Sequence, residues 1–445
     1  AAHSDNRAGR ERLPSRWLLA EAGRLAGRVL HSEDLPRLRD QAWLDWVGSS
    51  APAAGAHAAG AAELLIASLA RWRAHGLALA EHPLTQGTLA LGLEALRARR
   101  GGEFGRWTGH VGALPGLALG DTPLSPTRLQ TWAACPFRSY LERVLGVEEL
   151  LRPEETVRIE PREWGNLLHR VLERFVAEGE PPAPGAPWTP ADRARLHRLG
   201  DEEADRWEQA GATGKALLWR LDRARLHRTL DAFADSDQAL RARDGTAPAH
   251  TERGFGYDGD PVTLALGDGR TVAFRGRVDR VDVGAAGDVV VIDYKTGAAA
   301  SRYRAALAAH PVAGGQLLQL PVYALAAGEA ARPSAGGVRA AYWFLGEDGV
   351  DEIAWELDDD GAAAFGEAVA TIADGMEQGL YPQRVGHEWA RDRETCASCA
   401  YELVCDRDRE RRWPIVRALP LLSGLARLDG GAAAGPGTAT GGGRD

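Results

Sequence analysis

Two aspartates and a lysine stand close enough in the chain to act together. They lie in Arg275-Gly-Arg-Val-Asp279-Arg-Val-Asp-Val283, a Gly284-Ala-Ala-Gly287 turn, and Asp288-Val-Val-Val-Ile-Asp293-Tyr-Lys295-Thr-Gly297. The loop Ala285-Ala286-Gly287, with glycine at its left-handed position, is a favoured hairpin connection. Pairing Gly284 with Asp288 sets Val283 opposite Val289, Val281 opposite Val291 and Asp279 opposite Asp293. Because side chains alternate, Lys295 shares the face of Asp293 and of both valine pairs. Facing carboxylates destabilise a sheet unless a cation lies between them. Magnesium or manganese takes carboxylate oxygens and keeps waters, so this pair suits a hydrolytic metal. A lysine beside it can orient or help deprotonate the attacking water. The plain alternative is a surface hairpin with scattered charges.

Other candidates are scattered along the chain. His169 lies among Leu167, Leu168, Val171, Leu172 and Phe175, where it can flank a core or complete a carboxylate metal site. Gln319 and Tyr323, four apart on one helical face, can pack together or line a site. The four cysteines are Cys135 and, 261 residues later, Cys396-x2-Cys399-x5-Cys405. Four thiolates suit tetrahedral zinc, which spacing alone favours, or a [4Fe-4S] cluster, against unligated thiols.

Together these motifs resemble the PD-(D/E)XK nucleases, and within them the RecB-type nuclease of RecB and AddB. The match rests on Gly165-x-x-x-His169, Gly-Arg-Val-Asp279, Val-Ile-Asp293-Tyr-Lys295 and Gln319-x-x-x-Tyr323, in that order, and covers about Thr122 to Arg412. The resemblance implies that His169, Asp279, Asp293 and the Tyr294 carbonyl hold magnesium or manganese, that Lys295 positions the water, and that Gln319 and Tyr323 contact substrate. Glu252 stands where some relatives carry a supporting carboxylate. AddB-like nucleases also have one cysteine before the core, in a Cys-Pro-Phe/Tyr context matched by Cys135-Pro-Phe, and three after it. That implies a [4Fe-4S] cluster on Cys135, Cys396, Cys399 and Cys405 that staples the ends of the domain, with zinc as the alternative. Arg128, Arg138, Arg170 and Arg280 become candidate phosphate contacts.

The implied fold is α/β: a restriction-endonuclease-like core, with a mixed central β-sheet flanked by helices, behind a mainly helical N-terminal region. Residues 1–120 read as amphipathic helices, such as Ser15 to Leu30 and Ala61 to Ala80, and loosely resemble a helicase remnant without ATPase motifs. Ser125-Pro126 marks a helix start and opens the nuclease domain, 121–412. Valine-rich runs at Val262 to Leu266, Thr271 to Val283 and Val289 to Tyr294 read as strands. Asp192-Arg-Ala-Arg-Leu-His197-Arg recurs as Asp222-Arg-Ala-Arg-Leu-His227-Arg, and reads as two solvated helix faces. Residues 413–445 read as a largely disordered tail, Gly/Ala/Thr-rich from Asp429.

Of 53 basic residues only Lys215 and Lys295 are lysines, and Gly214-Lys215-Ala216 fails the phosphate-loop pattern. The net charge of -9 confines any nucleic-acid surface to a local groove. No apolar run is long enough to cross a membrane. The start lacks Met and an apolar signal core, and reads as the excised or processed start of a cytoplasmic, nucleoid-associated chain. The expected activity is a metal-dependent deoxyribonuclease, an exonuclease on single strands at duplex ends. It would belong to a helicase-nuclease of double-strand break repair, with DNA and a helicase subunit or upstream helicase region as partners. The rivals are a non-catalytic DNA-end-binding scaffold and an RNA-directed or spacer-processing nuclease of similar core.

Overall fold

In the computed structural model, residues 14–38, 40–44, 61–83, 85, 87–114, 122–149, 156–257, 259–297, 299–331, 337–356, 358–388, 393–394, 396 and 399–428 are described. The chain divides into two compact units, Ala1–Arg97 and Ala98–Asp445.

The first unit is helical among its described residues. Helix α1 (Arg16–Ala26) starts where Ser15 Oγ accepts from the Leu18 amide at 3.2 Å and stops at Gly27, whose φ of 68° suits glycine. Helices α2 (Ala61–Ala74) and α3 (Thr88–Arg100) follow, the latter running into the second unit. A small cluster of Ala22, Leu30 and Leu35 holds the α1 region.

The second unit is built on a mixed sheet of order β1-β4-β5-β6-β7: Thr246–Phe255, Gly276–Gly284, Val289–Thr296, Val338–Gly346 and Gly349–Glu356. Within it only β5 and β6 run parallel. A separate pair, β2 (Val262–Ala265) and β3 (Thr271–Phe274), accounts for the valine runs before β4. The run Thr271 to Val283 breaks at Arg275, whose amide donates to Leu124 O at 3.0 Å.

Strand β5 is buried on both sides, so it reads as a nearly unbroken apolar run. Val289 and Val291, with Ala340, Tyr342 and Phe344 of β6, face one core. That core is closed by α4 (Pro126–Ala134), α10 (Gln319–Ala331) and α11 (Asp359–Glu377). Short helices α5 (Pro136–Ser139) and α9 (Ala300–Ala309) lie on this side, and a separate small pair is formed by β8 (His387–Glu388) and β9 (Arg393–Glu394). Val290, Ile292 and Tyr294 face the other core, under α6 (Pro161–Ala177), α7 (Pro190–Gln209) and α8 (Ala216–Asp244).

Three expectations need correction. The Asp192 and Asp222 echo is the seam between α7 and α8, not two solvated faces: Leu196 and Leu226 are buried, and the rings of His197 and His227 meet with Nδ1 to Nδ1 at 2.8 Å. Asp192 serves the capping box of α7 with Thr189. The tail does not begin at 413, because α12 (Arg409–Val416) and α13 (Ser423–Leu428) place Trp413, Val416, Leu422, Leu425 and Leu428 in the first core. Residues 429–445 lie outside the described residues. Third, Arg280 is 0% exposed and ion-paired with Asp237 and Asp282 on the α8 side, where it cannot reach a phosphate.

Candidate active site and four-thiol pocket

The hairpin register is the one the turn requires: Val283 faces Val289 and Val281 faces Val291. The ladder ends at Arg280 and Ile292, so the next residues outward, Asp279 and Asp293, stand at its open end. There the Asp279 carboxylate replaces a backbone acceptor, with Oδ2 accepting from the Tyr294 amide at 2.8 Å. Asp293 is 3% exposed. Its Oδ2 is buried without a well-aligned hydrogen bond, although Lys295 Nζ lies 2.6 Å away.

Gly165 explains the spacing to His169. The two are one helical turn apart on α6, and a Cβ at Gly165 would come within 3.3 Å of Thr296 Oγ1. Its absence lets α6 settle against β5. His169 then brings Nε2 to 3.0 Å from Tyr294 O and Nδ1 to 3.5 Å from Asp279 Oδ1. The Nε2 to carbonyl contact is a hydrogen bond, and its length also equals the ~3 Å that separates neighbouring ligands of an octahedral ion at ~2.1 Å, so the two groups could turn to one cation.

Gln319 and Tyr323 arrive from α10. Gln319 Oε1 accepts from Lys295 Nζ at 2.9 Å, its Nε2 donates to Asp293 Oδ1 at 3.2 Å, and Tyr323 Oη lies 3.4 Å from the same Nε2. Gln319 thus locks the ion pair in place. Beneath it lies the ring of Tyr342, 5.1 Å from Lys295 Nζ. Tyr342 sits on β6, which sequence reading did not mark as a strand.

Glu252 joins from β1. Its flanking residues Thr251 and Arg253 pair with Arg280 and Val278, which sets Glu252 across from Asp279. Its φ of 48° is left-handed, a costly conformation for glutamate. One ligand atom each from His169, Glu252 and Asp279 lies within 4.8 Å of the others.

The electrostatics follow from crowding acids under cover. Burial, with Asp279 nearby, pushes the Asp293 carboxyl up against the opposing pull of Lys295. Burial and the Asp279 charge also raise Glu252. Burial opposes the charged forms of Lys295 and His169, yet the adjacent carboxylates outweigh it and raise both. Lys295 is therefore an ammonium that donates, suited to orienting water or steadying a phosphoryl oxygen rather than to taking a proton.

The four cysteines meet in one pocket, shared with Arg138, Arg384, Tyr401 and Arg409. None is in a disulfide. Burial raises all three thiols with a resolved shift, Cys135, Cys396 and Cys405, the last to about 12. Arg409 hydrogen-bonds Cys396 and opposes that rise. Four thiols gathered in one pocket fit a [4Fe-4S] cluster and tetrahedral zinc alike.

Of the arginines expected to meet phosphate, Arg138 pairs with Glu142 and Arg170 with Glu173. Arg128 has no carboxylate partner among the described residues. Lys215 caps α8 through its backbone.

The model of the PD-(D/E)XK nuclease superfamily matches residues 123–406, more than half of the chain. The chain belongs to the PD-(D/E)XK nuclease superfamily. The match spans the hairpin, α6, α10 and all four cysteines. Curated relatives named as the B-type subunit of an ATP-dependent helicase/deoxyribonuclease agree with it. That of Symbiobacterium thermophilum is 32% identical over 265 residues, 56% of this chain and 21% of the relative. That of Moorella thermoacetica is 31% identical over 255 residues, 52% of this chain and 21% of the relative. The chain thus spans about a fifth of the length of these relatives. The solved structure of SSO0001 matches 54% of this chain and 94% of its own at 15% identity, with a TM-score of 0.23, too loose a likeness to bear on this superfamily member.

Proposed function

We propose that this chain is the nuclease module of a helicase-nuclease and hydrolyses DNA with a divalent cation, as an exonuclease on single strands at duplex ends. The observation that carries the reading is the convergence of His169, Asp279 and the Tyr294 carbonyl at the open end of the hairpin, with the Asp293–Lys295 ion pair beside them. The superfamily membership and the relatives' names support it.

Magnesium or manganese, held by His169, Asp279, Asp293 and Tyr294 O, would supply hydroxide at neutral pH and neutralise charge on the scissile phosphate. The remaining work belongs to the side chains. Lys295 donates toward the attacking water and the phosphoryl oxygens, held in place by Gln319 and Asp293. Tyr323 stands beyond Gln319 to contact substrate. Hydrolysis adds water across the P–O bond, with hydroxyl to phosphorus and a proton to the departing sugar oxygen. Glu252 adds a third carboxylate whose strained backbone aims it at Asp279.

The four thiols are assigned a [4Fe-4S] cluster with a structural role, needed for DNA binding rather than for hydrolysis. Joining residues 261 apart removes much unfolded-chain entropy. Anaerobically purified protein is expected to be brown with about four irons; a colourless protein with one zinc refutes the cluster.

The activity is tested by incubating the chain with end-labelled single-stranded DNA and manganese. Progressive loss of label-bearing strand is expected. Binding without cleavage in either magnesium or manganese supports the scaffold reading instead.

A further inference from the structure

Many arginines of this acidic chain are neutralised by carboxylates. Arg174 meets Glu178, Glu202 and Glu203; Arg270 meets Asp268, Asp374 and Glu377; and even buried Arg280 has two aspartates. Arg128, Arg143 and Arg275 are among the arginines with no ion pair among the described residues, and they stand near one another. Arg128, in the first turn of α4, feels the charges of Arg143 and Arg275 and the hydroxyl of Tyr381, with no carboxylate among its strongest influences. Its Nε is buried without a hydrogen-bond partner, and none of the three has an ion pair among the described residues. Burial, reinforced by the two neighbouring cations, lowers the Arg128 pKa, as expected where an anion is missing.

The backbone fixes this cluster next to the cradle. Leu124 bridges β3 at Phe274, and the Arg275 amide donates to Leu124 O, so the start of α4 abuts the start of β4. From the same helix Gln130 Oε1 accepts from the Leu318 amide at 3.0 Å, one residue before Gln319. Arg275 precedes Asp279 by four residues, about 13 Å at the rise of a strand. Tyr257, 58% exposed, lies with its ring centroid 5.4 Å from the Arg275 guanidinium. An exposed aromatic beside unpaired guanidiniums is the pairing that grips single strands, with the ring stacking on a base and the cations on its phosphates.

We infer that Arg128, Arg143 and Arg275, with the ring of Tyr257, form a seat for one backbone phosphate and adjoining base of a single nucleic-acid strand, a few nucleotides from the bond held in the Asp279–Asp293 cradle. This seat rests on the nuclease reading for its substrate, but it binds whether or not the bond is cut.

The test measures binding of a fluorescent oligo(dT) to the full chain in calcium across a range of KCl. Arg128→Gln, Arg143→Gln and Arg275→Gln should each weaken binding about five- to tenfold at low salt. Each should also flatten the log K against log salt slope by roughly 0.7, the value for one single-strand phosphate contact. Tyr257→Ala should cost about fivefold or more for the strand and little for a blunt duplex. Arg220→Gln, an exposed arginine of α8, should change nothing. A second arm needs no variant: single methylphosphonate linkages walked along the oligonucleotide should weaken wild-type binding at one or two adjacent positions, and Arg275→Gln should abolish that dependence.

Wild-type affinity and slope in all three arginine variants, or a uniform response to the neutral linkages, overturns the seat. A duplex bound as tightly as the strand with Tyr257→Ala silent overturns the single-strand assignment. Failure of wild type to cleave in manganese, with the binding pattern intact, removes the nuclease reading and leaves the seat standing.

Discussion

The proposed cation cradle and the four-thiol pocket are both assigned a metal in this reading, yet the fold supports them in opposite ways. The cradle grows from the middle of the sheet: Asp279, Asp293 and Lys295 ride on β4 and β5, which pack against a core on each face, and α6 delivers His169 against them. Its geometry stands on packing. In the thiol pocket, Cys135 lies at the joint of α4 and α5, and Cys396, Cys399 and Cys405 lie outside every helix and strand. There a metal on the four thiols would supply the order that packing supplies at the cradle. Removing metal should therefore cost the cradle its chemistry and the thiol pocket its structure.

The largest expected effect lies at the cradle and spares the fold. Asp293→Ala and Lys295→Ala should each lower cleavage by about 10³-fold or more, since each removes charge placed for the transition state. The melting temperature should stay within a few degrees. Arg280→Ala inverts that pattern. Leaving Asp237 and Asp282 buried without their cation should cost about 3–5 kcal/mol in denaturant unfolding. The salt slope of DNA binding should be unchanged, because Arg280 touches no phosphate.

At the other pocket, Cys135→Ser or Cys396→Ser should release the bound metal and lower the melting temperature clearly. DNA affinity should fall about tenfold while kcat on saturating short strands is nearly kept. A variant that loses kcat as steeply as Asp293→Ala would erase the contrast between the two sites. The smallest effect is at Gly165. Gly165→Ala places a methyl within 3.3 Å of Thr296 Oγ1 and should shift α6 enough to cost about 1 kcal/mol and several-fold in manganese affinity. Combining it with Thr296→Ala should restore both, as read by calorimetry and cleavage.

The contrast also explains what was legible in the sequence. The hairpin register, the Ser125 cap and the spacing of Gly165 to His169 are local patterns, set by period two, by turn chemistry and by one helical turn. Strand β1 left no such trace: it is an edge strand with Pro248 at a register shift and only partial burial, so no alternation survives. The burial of Arg280 escapes the local pattern for a related reason. In Val-Asp-Arg-Val-Asp a charged residue reads as exposed, and its partner Asp237 comes from a helix 43 residues away. The C-terminal helices were masked by Arg409 to Arg412, whose charge hid the apolar residues that follow. Glu252 was visible as a carboxylate near the strands, but its left-handed backbone and its place opposite Asp279 emerge only when β1 pairs with β4.

The central claim is that the cradle holds the hydrolytic cation, and manganese binding followed by electron paramagnetic resonance tests it most directly. Wild type should bind Mn²⁺ with an affinity that matches the manganese dependence of cleavage. Asp279→Ala and Asp293→Ala should lose that binding together with activity, and Cys135→Ser should retain it. Manganese bound equally well by Asp279→Ala, Asp293→Ala and wild type would contradict the account.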